Sequence, residues 1–173
     1  MTGAIRGGHL QLAPVKTGDL DAICALLWTP EVRCYLCDDV LMPRETVAAS
    51  IAESLDSSSV TRYWQICTDE DGPVGLVGLR PPSTATLALR AIGWRSIELI
   101  IALHPGHWGK GLASEAVARV VEDGLADGVT FAVLGAVDQA NARACRLMQR
   151  CGFAELGRIS EGMRPIIVYE RSA

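Results

Sequence analysis

The amino-acid sequence predicts a single α/β domain: a mixed sheet with helices laid on it. Three observations carry this. Short apolar or alternating runs of strand length take turns with stretches of helical periodicity. One of these strands passes through a glycine-rich turn directly into a helix, between Gly106 and Ser114. The 173 residues are 49% hydrophobic and 21% charged, with only two Phe, four Trp and three Tyr. That composition supports one core filled by aliphatic side chains and alanine, and is too small for two full domains.

The elements follow in order. His9 to Pro14 alternates as a first strand. Thr17 is expected to cap a helix from about Asp19 to Leu27, where Leu20, Ile23, Cys24 and Leu27 share a face. Thr29-Pro30 and Met42-Pro43 are expected to open two further helices with Pro at the first helical position. The second of these carries Val47, Ile51 and Leu55 on one stripe. Arg62 to Thr68 and Val74 to Arg80 form a hairpin pattern, and Asp69-Glu70-Asp71 at its turn is read as a solvated tip. Ser96 to Leu103 is almost wholly apolar, hence a central strand covered on both faces, and it carries one carboxylate, Glu98.

A helix from Leu112 to Ala126 follows, with Ala113, Ala116, Val117, Val120 and Gly124 on its buried stripe. Thr130 to Val137 reads as a strand, Asn141 to Cys151 as a helix, and Phe153 to Ser160 and Met163 to Arg171 as two closing strands. No repeat or linker interrupts the series. The whole of 1–173 is therefore expected to be one domain, its core at about 9–171.

Charge and cysteine usage exclude several classes. A formal net charge of −4 argues against general nucleic-acid binding, which needs cations to neutralise phosphates. The longest uncharged apolar stretch, Leu99 to Leu103, is far too short to span a bilayer, and Met1 to Gly8 has no apolar targeting core. A cytoplasmic protein is expected. Of six cysteines, Cys34 and Cys37 form a Cys-x-x-Cys pair, but His9, His104 and His107 show no matching zinc spacing. No metal is expected, and the thiols are read as small apolar side chains kept reduced.

The segment Gly106-His107-Trp108-Gly109-Lys110-Gly111-Leu112-Ala113-Ser114-Glu115 holds the most chemistry. Glycines allow close backbone approach to a ligand, and the amides opening a helix present donors and a positive dipole to a phosphate. Lys110 is placed to add a point charge. A P-loop started at Gly106 puts Leu112 where lysine is required, so that reading fails. A dinucleotide fingerprint started at Gly109 meets Ser114 instead of its third glycine and lacks the later acid, and survives only as an alternative oxidoreductase reading.

From Trp108 to Ala113 the spacing matches the Arg/Gln-x-x-Gly-x-Gly/Ala loop of the GNAT N-acetyltransferases, with Trp108 in the first place. The longer run from Pro105 to Ala116 resembles the branch of the ribosomal-protein N-terminal acetyltransferases RimJ and RimL. A second segment, from Asn141 to Phe153, resembles that family's Asn-x-x-Ser/Ala-x-x-Leu-x-x-x-x-Gly-Phe helix and turn. The resemblance implies a GNAT-like fold: a mixed sheet of about six or seven strands with splayed middle strands, flanked by about four helices.

It further implies acetyl-CoA as acyl donor and a primary amine as acceptor. Main-chain groups of Ile101 and Leu103 would meet the pantetheine arm as an added strand would. The amides of Trp108, Gly109, Lys110, Gly111, Leu112 and Ala113, with Ser114, would hold the pyrophosphate. Asn141 would bond the pantetheine region or cap its own helix. In the implied reaction a neutral amine attacks the thioester carbon, the amine loses a proton, and thiolate is expelled.

Glu98 is the candidate base; its bland reading is a carboxylate satisfied by a neighbouring arginine or amide. The general acid has no obvious holder, because Met148 and Ala144 stand where relatives carry Tyr and Ser. Cys145 is a weaker candidate acid, more simply an inert thiol, and His104 and His107 are read as surface loop residues. A CoA-binding module without turnover is the other alternative. The acceptor pocket, expected from Thr29 to Met42 and Pro81 to Gly93, has no readable motif, and a homodimer is compatible with all of this.

Overall fold

The computed structural model describes residues 5–7, 10–36, 39–87, 89, 95–126, 129–161 and 164–172. The apolar and alternating runs form strands β1 (Ile5–Gly7), β2 (Leu10–Pro14), β3 (Arg62–Thr68), β4 (Gly72–Arg80), β5 (Ser96–Leu103), β6 (Ala132–Asp138), β7 (Ala154–Glu161) and β8 (Arg164–Ser172). The helical stretches form α1 (Leu20–Trp28), α2 (Pro30–Leu36), α3 (Arg44–Leu55), the single turn α4 (Thr84–Leu87), α5 (Leu112–Leu125) and α6 (Ala142–Arg150). Strands β1 and α4 are additions to the expected set, and both are too short for periodicity to reveal. His9, Cys37, Met163 and most of the segment after Leu87 lie outside the described residues.

All eight strands join one sheet in the order β1-β2-β3-β4-β5-β6-β8-β7. Neighbours are antiparallel except β5 and β6, which run parallel with α5 as their crossover. The result is the expected mixed α/β sheet. A stripe of Leu112, Ala116, Val117, Val120 and Val121 lays α5 on one face, where it joins Leu12, Ile66, Val77 and Val133 in the larger core. On the opposite face α1, α2 and α3 bury Ile23, Cys24, Leu27, Val32, Val47 and Ile51 against Val15, Tyr63, Leu76 and Ala102. The end of α3 is fastened to β3 where the Tyr63 amide donates to Ser54 Oγ at 2.8 Å.

Three helix details differ from expectation. Thr17 opens a short 3-10 turn rather than capping α1, and the Lys16 amide donates to the Asp19 carboxylate at 2.7 Å in its place. Pro43 sits one residue outside α3, as its N-cap. Leu55 is 52% exposed because α3 ends there and the stripe turns off the sheet.

The middle of the sheet opens. Strand β5 pairs with β6 only at Ser96, Ile97 and Glu98, whereas it stays paired with β4 from Glu98 to Leu103. Beyond Glu98 the two parallel strands part, leaving a wedge on one edge of β5. The His104 amide donates to the Val74 carbonyl at 2.9 Å, which fixes the phase of the antiparallel ladder. Ala102, Ile100 and Glu98 then exchange hydrogen bonds with β4, and Leu103, Ile101 and Leu99 turn their main-chain N–H and C=O towards the wedge. The Phe131 amide bonding the Arg95 carbonyl at 2.9 Å agrees with this alternation.

Candidate active site

The wedge continues into a cleft of about 640 Å³, within the size range of small-ligand sites. Residues 99–103 of β5, the turn after it, the start of α5, residues 135–138 of β6 and one side of α6 line it, with Val32 and Tyr35 of α2 at the far end. Both middle-strand elements and both motif segments therefore converge on one space.

The turn presents an anion cradle. Gly109 and Gly111 have φ of +79° and +83°, left-handed values that a side chain resists, and no atom lies within 4 Å of a Cβ built on either. Gly111 is the N-cap of α5 and supplies no side-chain cap. The first amides of this 14-residue helix are thus left to a ligand, and the helix dipole favours an anion there. Gly109, Gly111, Leu112, Ala113 and Ser114 all line the cleft.

Two of the expected loop contacts take another form. The Trp108 amide is already given to the Pro105 carbonyl at 3.1 Å, because the 3-10 turn Pro105–His107 closes on it. Trp108 instead contributes its ring: the indole Nε1 donates to the Leu103 carbonyl at 2.8 Å and occupies part of that acceptor. Lys110 is exposed and lies outside the cleft lining, since the left-handed glycines on either side of it turn its side chain outward. Of the two β5 positions, Ile101 keeps both main-chain groups directed into the wedge. Asn141 caps α6, its Oδ1 accepting from the Ala144 amide at 3.1 Å, and its Nδ2 hydrogens remain for the cleft that it lines.

Glu98 stands at the apex where β5 and β6 part. It is 3% exposed, alternating with Ile100 and Ala102 towards the α1–α3 layer. Each of its carboxylate oxygens has a partner. Arg80 Nη2 and Nε donate to one oxygen at 2.8 and 3.3 Å, and the Ser83 amide donates to the other at 3.3 Å. Burial of a charge is tolerated here because a bidentate guanidinium and a backbone amide replace water. Arg80, Ser83 and Glu98 all face the cleft.

The candidate acids separate. Met148 is buried with its Sδ 3.0 Å from the Cβ position of Gly135, an apolar filler at the floor of the cleft. Cys145 is not among the lining residues; its Sγ lies 4.0 Å from the Asp138 carbonyl. The pKa of Tyr169 is pushed up to about 12, chiefly by burial and then by the neighbouring Cys145 thiol. His104 caps the 3-10 turn at the surface. His107 is drawn into the cleft lining, with Nε2 3.1 Å from Asp71 Oδ2 and Nδ1 buried without a partner. The β3–β4 turn folds back over the loop, so Asp71 is a contact and not a free tip.

The arginines of α6 were not legible as site residues. Arg143, Arg146 and Arg150 line the cleft, and the Arg143 guanidinium stacks 4.6 Å from the centre of the Trp108 ring. Their i, i+3, i+7 spacing on one face was the available signal. The five described cysteines, 24, 34, 67, 145 and 151, are free thiols, and no group of metal-ligating side chains occurs among the described residues.

A split sheet with an amide cradle at the helix that follows suits an extended ligand that carries a phosphate group. The Acetyltransferase (GNAT) domain model matches residues 9–154, and the chain belongs to that family. It is an acetyltransferase with acetyl-CoA as its acyl donor. Among solved structures, a GNAT acetyltransferase from Bacillus anthracis superimposes with a TM-score of 0.76 at 14% identity, over 98% of each chain. Spermidine N-acetyltransferase from Vibrio cholerae, in complex with CoA and spermine, gives 0.76 at 20% identity over 96% of each chain. The aminoglycoside acetyltransferase AAC(6')-Ib, in complex with coenzyme A, gives 0.75 at 14% identity over 94% of each. No curated protein matches the chain significantly.

Proposed function

We propose that the chain, as one domain over 1–173, transfers the acetyl group of acetyl-CoA to a primary amine by direct attack in a ternary complex. The acceptor is a protein N-terminus or a small-molecule amine, and the RimJ/RimL-like branch and a cytoplasmic location go with this reading. A homodimer is compatible with it. The carrying observation is the juxtaposition in one cleft of an amide cradle, an unpaired strand edge at Ile101 and a buried carboxylate at the apex between them. The thioester supplies an electrophilic carbonyl carbon and a thiolate leaving group.

The residues divide the work by position. Amides of residues 109–114 hold the pyrophosphate. Ile101, with the Leu103 N–H and Asn141 Nδ2, orients the pantetheine arm as an added strand. Glu98 accepts the amine proton directly or through one water, on a lone pair that Arg80 and the Ser83 amide leave open. No Tyr, Ser or Cys is placed to protonate the sulfur at the α6 positions, so the thiolate departs into a cleft bordered by cations and amides.

Purified chain is incubated with acetyl-CoA and a panel of N-terminal peptides, polyamines and other amines, and thiol release is followed. Turnover with an amine supports the reading. Binding of CoA with no turnover on any amine supports the non-catalytic module instead, and tight NAD(P) binding without CoA binding supports the oxidoreductase.

A further inference from the structure

Nine of the twelve arginines whose side chains the structure describes have a partner within the fold. Arg33, Arg44, Arg80, Arg119, Arg158 and Arg164 pair with carboxylates. Arg62 and Arg171 donate to main-chain carbonyls, and Arg95 lies over Phe131. Arg146 and Arg150 form no hydrogen bond or ion pair among the described residues, and Arg143 has only the Trp108 ring. No carboxylate of the described residues forms an ion pair with any of them, although the chain has 20 acidic residues against 16 basic ones. All three lie on α6, at the spacing that puts them on one face, and all three line the cleft.

Three like charges along one helix face repel one another and gain nothing without a counter-anion. Their position says which end of the cleft that anion occupies. Arg143 rests on the Trp108 ring, and Trp108 belongs to the turn that builds the amide cradle. The stripe therefore begins at the cofactor end of the cleft. The cleft has two anion receptors side by side, one of backbone amides and one of guanidinium groups. Coenzyme A has two separate phosphate groups, the pyrophosphate and the monoester on its ribose.

Resting on the acetyl-CoA reading above, we propose that Arg146 and Arg150, with Arg143, bind the ribose 3′-phosphate, and that the enzyme thereby distinguishes CoA from dephospho-CoA. Guanidinium forks suit a phosphate dianion, and the pairs made there are half-solvated, so their effect is moderate and sensitive to salt.

Titration calorimetry of the wild-type protein with CoA and with dephospho-CoA tests this first. CoA is expected to bind about tenfold more tightly, one extra charge-assisted contact or two, and to lose more affinity than dephospho-CoA as salt rises. The R146A/R150A variant, at two exposed positions, is expected to bring CoA down to the affinity of dephospho-CoA while leaving dephospho-CoA unchanged. Equal affinity of the wild type for both ligands overturns the assignment with no variant needed. Loss of both ligands to the same extent in a variant whose circular dichroism is unchanged also overturns it, because the arginines then serve the pyrophosphate. A change confined to the KM of the amine places the stripe on the acceptor and overturns it as well. Binding of neither ligand by the wild type refutes the acetyl-CoA reading itself, and this inference with it.

Discussion

The two layers on either side of β5 do different kinds of work. On one side, α5 and the turn before it build their part of the site from the backbone: left-handed Gly109 and Gly111, the first amides of a helix, and the strand edge at Ile101. On the other, the α1–α3 side, the site centres on a side chain, with Glu98 held by Arg80 of the neighbouring strand and by the Ser83 amide just after it. A backbone site needs particular residues at particular spacings because only glycine tolerates the conformation. A side-chain site needs only that the fold bring suitable groups together. The first should control cofactor affinity and the second turnover.

The largest expected effect separates these roles. E98Q keeps the shape of the side chain and an oxygen for Arg80 but cannot take a proton. Steady-state kinetics should show kcat lowered about 10²- to 10⁴-fold, the usual range for a general base, with the Kd for CoA within about twofold of wild type. A variant that keeps its kcat would leave Glu98 as a structural carboxylate only. Next in size is G111A. At a φ of +83° an alanine costs about 1–2 kcal/mol, paid by the cradle as it distorts. CoA affinity measured by calorimetry should fall about tenfold, with kcat at saturating acetyl-CoA little changed. If kcat fell instead, the division of labour between the layers would be wrong.

That same contrast governed what could be seen in the sequence. Strands Arg62–Thr68 and Ser96–Leu103 have the bounds that their alternation and apolarity indicate, and the turn before α5 was visible because its glycine spacing is a backbone requirement. The partners of Glu98 were not visible: Arg80 is adjacent only through the β4–β5 register, which no local pattern records. The loop pattern puts the Trp108 amide on the ligand, but the preceding 3-10 turn consumes it. The reading of Asp71 as a solvated tip follows from the usual exposure of hairpin acids, whereas its pairing with His107 depends on how the turn folds over the loop. The α6 arginines carry no local signal of whether a partner exists, since the lack of an acidic partner among the described residues shows only in three dimensions.

Trp108 lies where the two kinds of site meet, and W108F tests that junction. Phenylalanine keeps a ring under Arg143 and loses the indole donor to the Leu103 carbonyl. Loss of one hydrogen bond of about 1 kcal/mol should raise the KM for acetyl-CoA about fivefold. The opposite outcome, a lowered KM, would mean that the freed Leu103 carbonyl is more useful to the pantetheine arm than the indole bond is to the loop.

The smallest effect is expected from R158A, and it is informative because Arg158 is an exposed arginine with a partner. It donates to Glu155 at 2.8 Å on β7, and this bond holds the Glu155 carboxyl below its ordinary value. A carboxylate with a lowered folded-state pKa stabilises the fold above its unfolded pKa, and that contribution disappears as pH falls through the folded value. Denaturant melts of wild type and R158A should therefore differ slightly at neutral pH and coincide in strong acid. Exposed pairs of this kind contribute little, so the neutral difference should be near the error of the measurement. CoA affinity should not move, because Arg158, on the edge strand β7, is not among the residues that line the cleft. An equal loss of CoA affinity in R158A and R146A/R150A would show that any lost positive charge weakens CoA binding through the general field of the protein. The unpaired stripe on α6 would then have no special claim on the ribose phosphate.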